Sequence, residues 1–225
     1  MLSEKGFSAS PDKVRAVRQY PVPKNVKYVR TFLGLASFYS RLVPNFAEIA
    51  KPMTVLIRKD RHFTWGPQQQ QAFRSIKDRL CTTPVLAYPN FVLPFILTTD
   101  ASKVAIAAIL SQVRDGKKRP IAYASRQLNT QEQNYIVSEQ EMLALAWATK
   151  YFHCYLYGKQ FLVGTGHAAL TYLRKFADHN SRILRCSRKL SELDFVVEHR
   201  AGCKIGHVDA LSRNVGAITN SCRLS

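Results

Sequence analysis

The spacing of apolar residues changes near Pro89-Asn90, and that change limits what the chain can fold into. Upstream, in VRTFLGLASFYSRLVPNF, Val29, Phe32, Leu33, Ala36, Tyr39 and Val43 recur every three or four residues. That is one face of a helix, and Pro44 ends or kinks it. A second helix is expected from Pro67, where proline suits the first turn, with Ala72, Phe73, Ile76 and Leu80 as its apolar face. Downstream, FVLPFILTTDAS, VAIAAILSQV and RPIAYASRQL read as strands, with Asp115-Gly116 as turn chemistry between the second and third. A long helix, SEQEMLALAWATKYFHCYLYG, follows and is closed by Gly158. A strand at KQFLVG, short helices from about His167 and about Ser181, and a strand at DFVVEHRAG complete the order β-β-β-α-β-α-α-β. That order predicts an α/β mixed sheet with helices packed against it. The last residues, NVGAITNSCRLS, read as a linker or tail.

Charge narrows the partners. Lys and Arg number 33 against 15 Asp and Glu, a net charge of +18. The excess is spread over both halves, with no basic tail or internal repeat. A surface of this sign attracts polyanions, nucleic acid first among them. The five cysteines form no CxxC pair, which argues against a disulfide framework or a zinc knuckle. No apolar run approaches the ~20 residues that span a bilayer, and the start lacks the apolar stretch of a signal peptide. These features predict a soluble intracellular protein with no membrane partner, cytoplasmic or nuclear.

Two-metal chemistry needs carboxylates converging from separated parts of the chain. Acids at strand ends and helix first turns are therefore the ones to inspect, although singly the three found here prove little. Asp100 ends the apolar run PFILTTD, at what would be the margin of the sheet, although an acid there also suits a turn. Glu141 lies in the first turn of the long helix. Its competing role is structural: Ser138-Glu139-Gln140-Glu141 reads as an S-x-x-E capping box. Glu139 reads as a solvated first-turn acid favoured by the helix dipole. Asp209, in HVDALSR, could equally cap a terminal helix. The aromatic residues Trp147, Tyr151, Phe152, Tyr155 and Tyr157 fall mostly at core spacing and read as packing rather than a base-stacking platform.

Longer motifs carry a resemblance. TDAS, RPIAYASRQLN, NYIVSEQEMLALAWATKYFHCYLYGKQF and EHRAGCKIGHVDALSR resemble, in order and spacing, the ribonuclease H domain of gypsy-type LTR retrotransposon reverse transcriptases. PVPKNVKYVRTFLGLASFYSRLVPNFAEIAKPMTVLI and FTWGPQQQQAFRSIKDRLCTTPVLAYPNF resemble the thumb and connection segment of the same polyproteins. The resemblance implies a thumb/connection-like segment over residues 1–89, a ribonuclease H-like domain over 90–214, and a linker or tail over 215–225.

By that resemblance Asp100, Glu141 and Asp209 correspond to three of four acidic ligands for two Mg²⁺ or Mn²⁺ ions. Asp100 would bridge both ions, Glu141 would bind one and Asp209 the other. The implied activity is hydrolysis of the RNA strand of an RNA–DNA hybrid, with the basic surface following the hybrid's phosphates. The fourth ligand belongs to a T-D-H motif that reads Thr165-Gly166-His167 here, so Gly166 offers no side-chain ligand. His167, His199, Arg200 and Lys204 are candidate nucleic-acid contacts. The family's Y-x-D-D-type palm hairpin has no counterpart in this sequence, so the chain alone is not expected to polymerise DNA. The palm and fingers part of a reverse transcriptase is an expected partner. Gly166 also leaves open a second reading: a nucleic-acid-binding remnant or co-opted interaction module without turnover.

Overall fold

The computed structural model describes residues 2–3, 6–7, 11–59, 61–82, 86–165 and 181–199. A two-residue hairpin, β1 (Leu2–Ser3) with β2 (Gly6–Phe7), precedes four helices: α1 (Pro11–Arg18), α2 (Val26–Ser37), α3 (Phe46–Leu56) and α4 (Pro67–Cys81). The strands β3 (Phe95–Ala101), β4 (Ala105–Arg114) and β5 (Lys117–Gln127) follow. Next come α5 (Thr130–Gln133), α6 (Val137–Tyr151), α7 (His153–Leu156), β6 (Phe161–Thr165), α8 (Ser181–Leu190) and β7 (Phe195–His199).

The expected helical stripe is buried throughout: Val29, Phe32 and Ala36 are fully inaccessible, and Tyr39 and Val43 nearly so. The backbone reaches that result in two pieces. The α2 helix ends at Ser37, whose hydroxyl donates back to the Gly34 carbonyl. A 3-10 turn at Ser40–Leu42 then keeps Leu42 and Val43 facing inward. Helix α4 begins at Pro67 and buries Ala72, Phe73, Ile76 and Leu80 as the spacing required.

Helix α3 was not anticipated, because its sequence lies between Pro44 and an internal Pro52. It starts from Asn45 in the left-handed region (φ 54°), which asparagine tolerates better than most residues. Burial of Phe46, Ala47, Ala50, Met53 and Leu56 outweighs the hydrogen bond lost at Pro52.

The strands form one five-stranded mixed sheet in the order β5-β4-β3-β6-β7, antiparallel across β5-β4-β3 and parallel across β3-β6-β7. Asp115 and Gly116 both adopt positive φ (52° and 70°) in the β4–β5 turn, which suits the right-handed twist of the flanking strands. One correction concerns the long helix: it breaks at Phe152, which caps α6 and leads into the short α7. Phe152 is 1% exposed and packs into the core between the sheet and α6. Burying its ring takes precedence over continuing the helix to Gly158. The aromatic group is also only partly core, since Tyr151 and Tyr157 are exposed.

The two faces of the sheet have different covers. Phe95 and Leu97 of β3, with Ala122 and Ala124 of β5, pack under α6 against Met142, Leu145 and Ala148. Alternation turns Tyr123, Ser125 and Gln127 to the other face, where the helical segment docks. Tyr123 packs on the helical core. The Ser125 hydroxyl accepts the Ala47 N–H at 3.0 Å, and the Gln127 amide donates to the Ala47 carbonyl at 3.1 Å and to Thr54 Oγ1 at 2.7 Å. The helical segment is therefore built onto the sheet. Among the described residues no helix is long and apolar enough to cross a membrane.

Candidate active site

Strand β3 carries Asp100 to the end of its pairing with β4, opposite Ala107. The carboxyl opens to solvent, yet the surrounding protein raises its pKa, first by desolvation and then by the charge of Glu48, against the Ala101 N–H, which lowers it. Asp100 lines a small cleft with Asn45 and Glu48 at the start of α3 and with Ser102, Ala105, Ala107 and Ser125 of the sheet.

Glu141 approaches the same strand end from α6. It is 8% exposed, and its Oε2 has no hydrogen-bond partner. Burial, followed by repulsion from Asp100, pushes its pKa up to about 7, while the Ala101 N–H works in the opposite direction. One backbone amide thus serves both acids.

The expected capping box is displaced by two residues. The N-cap of α6 is Ile136, and Glu139 accepts the Ile136 N–H at 3.2 Å. Ser138 lies inside the helix, so Glu141 does not close the first turn. Glu139 is not solvated either: it is 6% exposed. The displacement matters because one acid caps the helix while the other is free to face Asp100.

The register of β6 brings a further position toward this corner. Thr165, the residue before Gly166, pairs with Thr99, the residue before Asp100. Thr165 also pairs with His199 at the end of β7, so that backbone position reaches the same end of the sheet. Gly166, His167, Arg200, Lys204 and Asp209 lie outside the described residues.

Glu48, Asn45 and Ser125 escaped the sequence reading. The helix that carries the first two was hidden by its prolines, and Ser125 is one polar residue in an otherwise strand-like run. Among the described residues no three His, Cys, Asp or Glu side chains stand close enough to enclose a metal ion by themselves. The two acids still suit a hard divalent cation. Both offer carboxylate oxygens, and a buried oxygen without a partner is costly unless a cation or a proton satisfies it.

A five-stranded mixed sheet in this order, with helices packed against it, is the ribonuclease H-like fold. Residues 65–163 match the family described as an RNase H-like domain found in reverse transcriptase. The chain therefore carries an RNase H-like reverse-transcriptase domain, and its homologues are retrotransposon Pol polyproteins. It is 39% identical over 214 residues to the retrovirus-related Pol polyprotein from transposon 297 of Drosophila melanogaster, covering 95% of this chain and 20% of that protein. It is 36% identical over 234 residues to the corresponding polyprotein from transposon gypsy of the same organism, covering 98% and 22%. The chain thus spans about a fifth of the length of these relatives. Among solved structures, the foamy viral protease-reverse transcriptase in complex with RNA/DNA hybrid superposes with a TM-score of 0.72 at 17% identity, covering 99% of this chain and 30% of that one. That likeness establishes the fold.

Proposed function

We propose that this chain grips an RNA–DNA hybrid and hydrolyses its RNA strand at a site built on Asp100, Glu141 and Asp209, weakened by Gly166. The observation that carries the reading is the buried, unpartnered Oε2 of Glu141 beside Asp100. The pair supplies oxygen donors for Mg²⁺ or Mn²⁺. Two such ions, when bound, activate a water and stabilise the leaving oxygen. Glu141 is held by the α6 core and by the Ala101 N–H, so its position is set before any ion arrives. Asp100 is fixed by the β3–β4 ladder and faces solvent, where a phosphate could approach. The net charge of +18 supports a polyanionic substrate, and basic side chains flank the fold at Lys117, Lys118 and Arg119 in β5 and at Arg185, Arg188 and Lys189 in α8. The palm and fingers part of a reverse transcriptase is the proposed protein partner.

A second reading, a nucleic-acid-binding module without turnover, is favoured by Gly166 alone. Cleavage of a uniform labelled RNA–DNA hybrid with Mg²⁺ and with Mn²⁺, beside an Asp100→Asn control, separates the two. Metal-dependent cleavage that Asp100→Asn abolishes supports the nuclease. Hybrid binding in a gel with no cleavage under either metal supports the binding module.

A further inference from the structure

Helix α3 belongs to the helical segment, yet its first turn forms one wall of the cleft that holds Asp100. Glu48 is the acid on that wall. Its side chain is exposed, takes no hydrogen bond or ion pair among the described residues, and lies near enough for its charge to act on Asp100. The lining of the cleft (Asn45, Glu48, Asp100, Ser102, Ala105, Ala107 and Ser125) contains no basic side chain. In a chain of net charge +18, two carboxylates, Glu48 and Asp100, line this one cleft. A second, independent observation lies on the acid coupled to Asp100. Glu141 is more than nine-tenths buried, it feels the charge of Asp100, and its Oε2 has no partner, an environment that a cation would satisfy.

We propose that Glu48 is a further carboxylate of the metal site, delivered by the helical segment and acting on water bound to the ion. The inference rests on the metal-dependent reading above. Direct ligation by all three acids does not fit, because no three of the described side chains enclose an ion. Mg²⁺ and its substitutes retain several waters when bound by one or two carboxylates, and an acid one water away orients that hydration shell. Position is secured by the docking bonds, since the Ala47 N–H and carbonyl, one residue before Glu48, are held by Ser125 and Gln127. A helix N-terminus also favours a first-turn acid. That role alone predicts a loss of stability on removing the charge, with no change in metal affinity.

The test is Mn²⁺ binding to the full chain without nucleic acid, read by isothermal titration calorimetry, with metal-free melting temperatures measured alongside. Glu48→Gln should raise the Mn²⁺ Kd at least about threefold, and Glu48→Asp, which keeps a carboxylate, should recover part of that loss. Asp100→Asn should weaken binding further. Glu192→Gln, which removes an exposed acid after α8, should change nothing and so controls for net charge. A Kd for Glu48→Gln equal to that of Glu192→Gln, beside a weakened Asp100→Asn, would overturn the Glu48 assignment and leave the metal site standing. Mn²⁺ binding that Asp100→Asn leaves untouched, or that is absent from the native chain, would overturn the metal-dependent reading and the Glu48 role with it.

Discussion

Glu141 and Asp100 draw on one backbone amide, the Ala101 N–H, while burial first and Asp100 second push the Glu141 pKa from 4.5 up to about 7. A raised carboxyl pKa means that the metal-free fold prefers Glu141 protonated. Its contribution to stability is fully present below about pH 4.5 and is lost as pH rises through about 7. A shift of that size corresponds to at most about 3 kcal/mol. Asp100 shifts in the same direction and adds to the slope. In chelator-treated protein the melting temperature should therefore fall between pH 5 and pH 8, and Glu141→Gln should flatten the curve and be the more stable form at pH 8. Metal-dependent cleavage should collapse in that variant. A native curve without this fall would mean that Glu141 ionises freely and is not desolvated.

Glu139 carries the structural role that the sequence motif assigned to Glu141. Glu139→Ala removes the acceptor for the Ile136 N–H and should cost about 1 kcal/mol, read as a drop in melting temperature. Cleavage per folded molecule should be retained. The reverse pattern, with Glu139→Ala inactive and fully stable, would exchange the roles of the two glutamates.

Gln127 ties the helical segment to the sheet through two hydrogen bonds from one amide. Gln127→Ala leaves Thr54 Oγ1 and the Ala47 carbonyl without that donor and should cost about 1–3 kcal/mol. Hydrogen exchange should rise first in the first turn of α3. Unchanged protection there would show that the apolar contacts around Tyr123 hold the segment by themselves.

These three cases show what the sequence disclosed. Elements with an uninterrupted period were legible: the α2 stripe, the Pro67 helix, the β4–β5 turn and the strand ending at Asp100. Helix α3 was not, because Pro44 and Pro52 bracket it and its apolar face is satisfied only by packing. The break at Phe152 was not, because it depends on where a buried ring fits. The S-x-x-E pattern placed the cap two residues late, since a cap is decided by where the chain enters the helix and not by residue type alone. The resemblance singled out Asp100 and Glu141, and in the structure the charge of Asp100 acts on Glu141. Glu48 came from a helix that the pattern had hidden.

Binding to hybrid should be ionic. Phosphate contacts release counterions, so each one steepens the dependence of log affinity on log salt by about 0.7–0.9. Several contacts are expected from a charge of +18 shared by both halves. A gel-shift or anisotropy titration across 50–200 mM salt measures the slope, and a flat response would remove the basic surface from the binding model.

On the proposed reading, Gly166 should set how strong the nuclease is. Thr165 pairs with Thr99, the residue before Asp100, and by the resemblance the next position, 166, would carry a carboxylate to join Asp100 and Glu141. Glycine supplies no ligand, and Mn²⁺, which accepts nitrogen donors such as a neighbouring histidine more readily, should support more cleavage than Mg²⁺ in the native chain. Gly166→Asp should raise Mg²⁺-dependent cleavage at least about tenfold, or about 1.4 kcal/mol of transition-state stabilisation. Metal-free affinity for hybrid should stay the same or fall slightly, because an added negative charge repels phosphates. The measurement is single-turnover cleavage of a uniform hybrid by both proteins under each metal. A folded Gly166→Asp protein as inactive as the native chain would place the defect elsewhere. A native chain already as fast as the variant would show that Asp100, Glu141 and their remaining partners suffice without an acid at position 166.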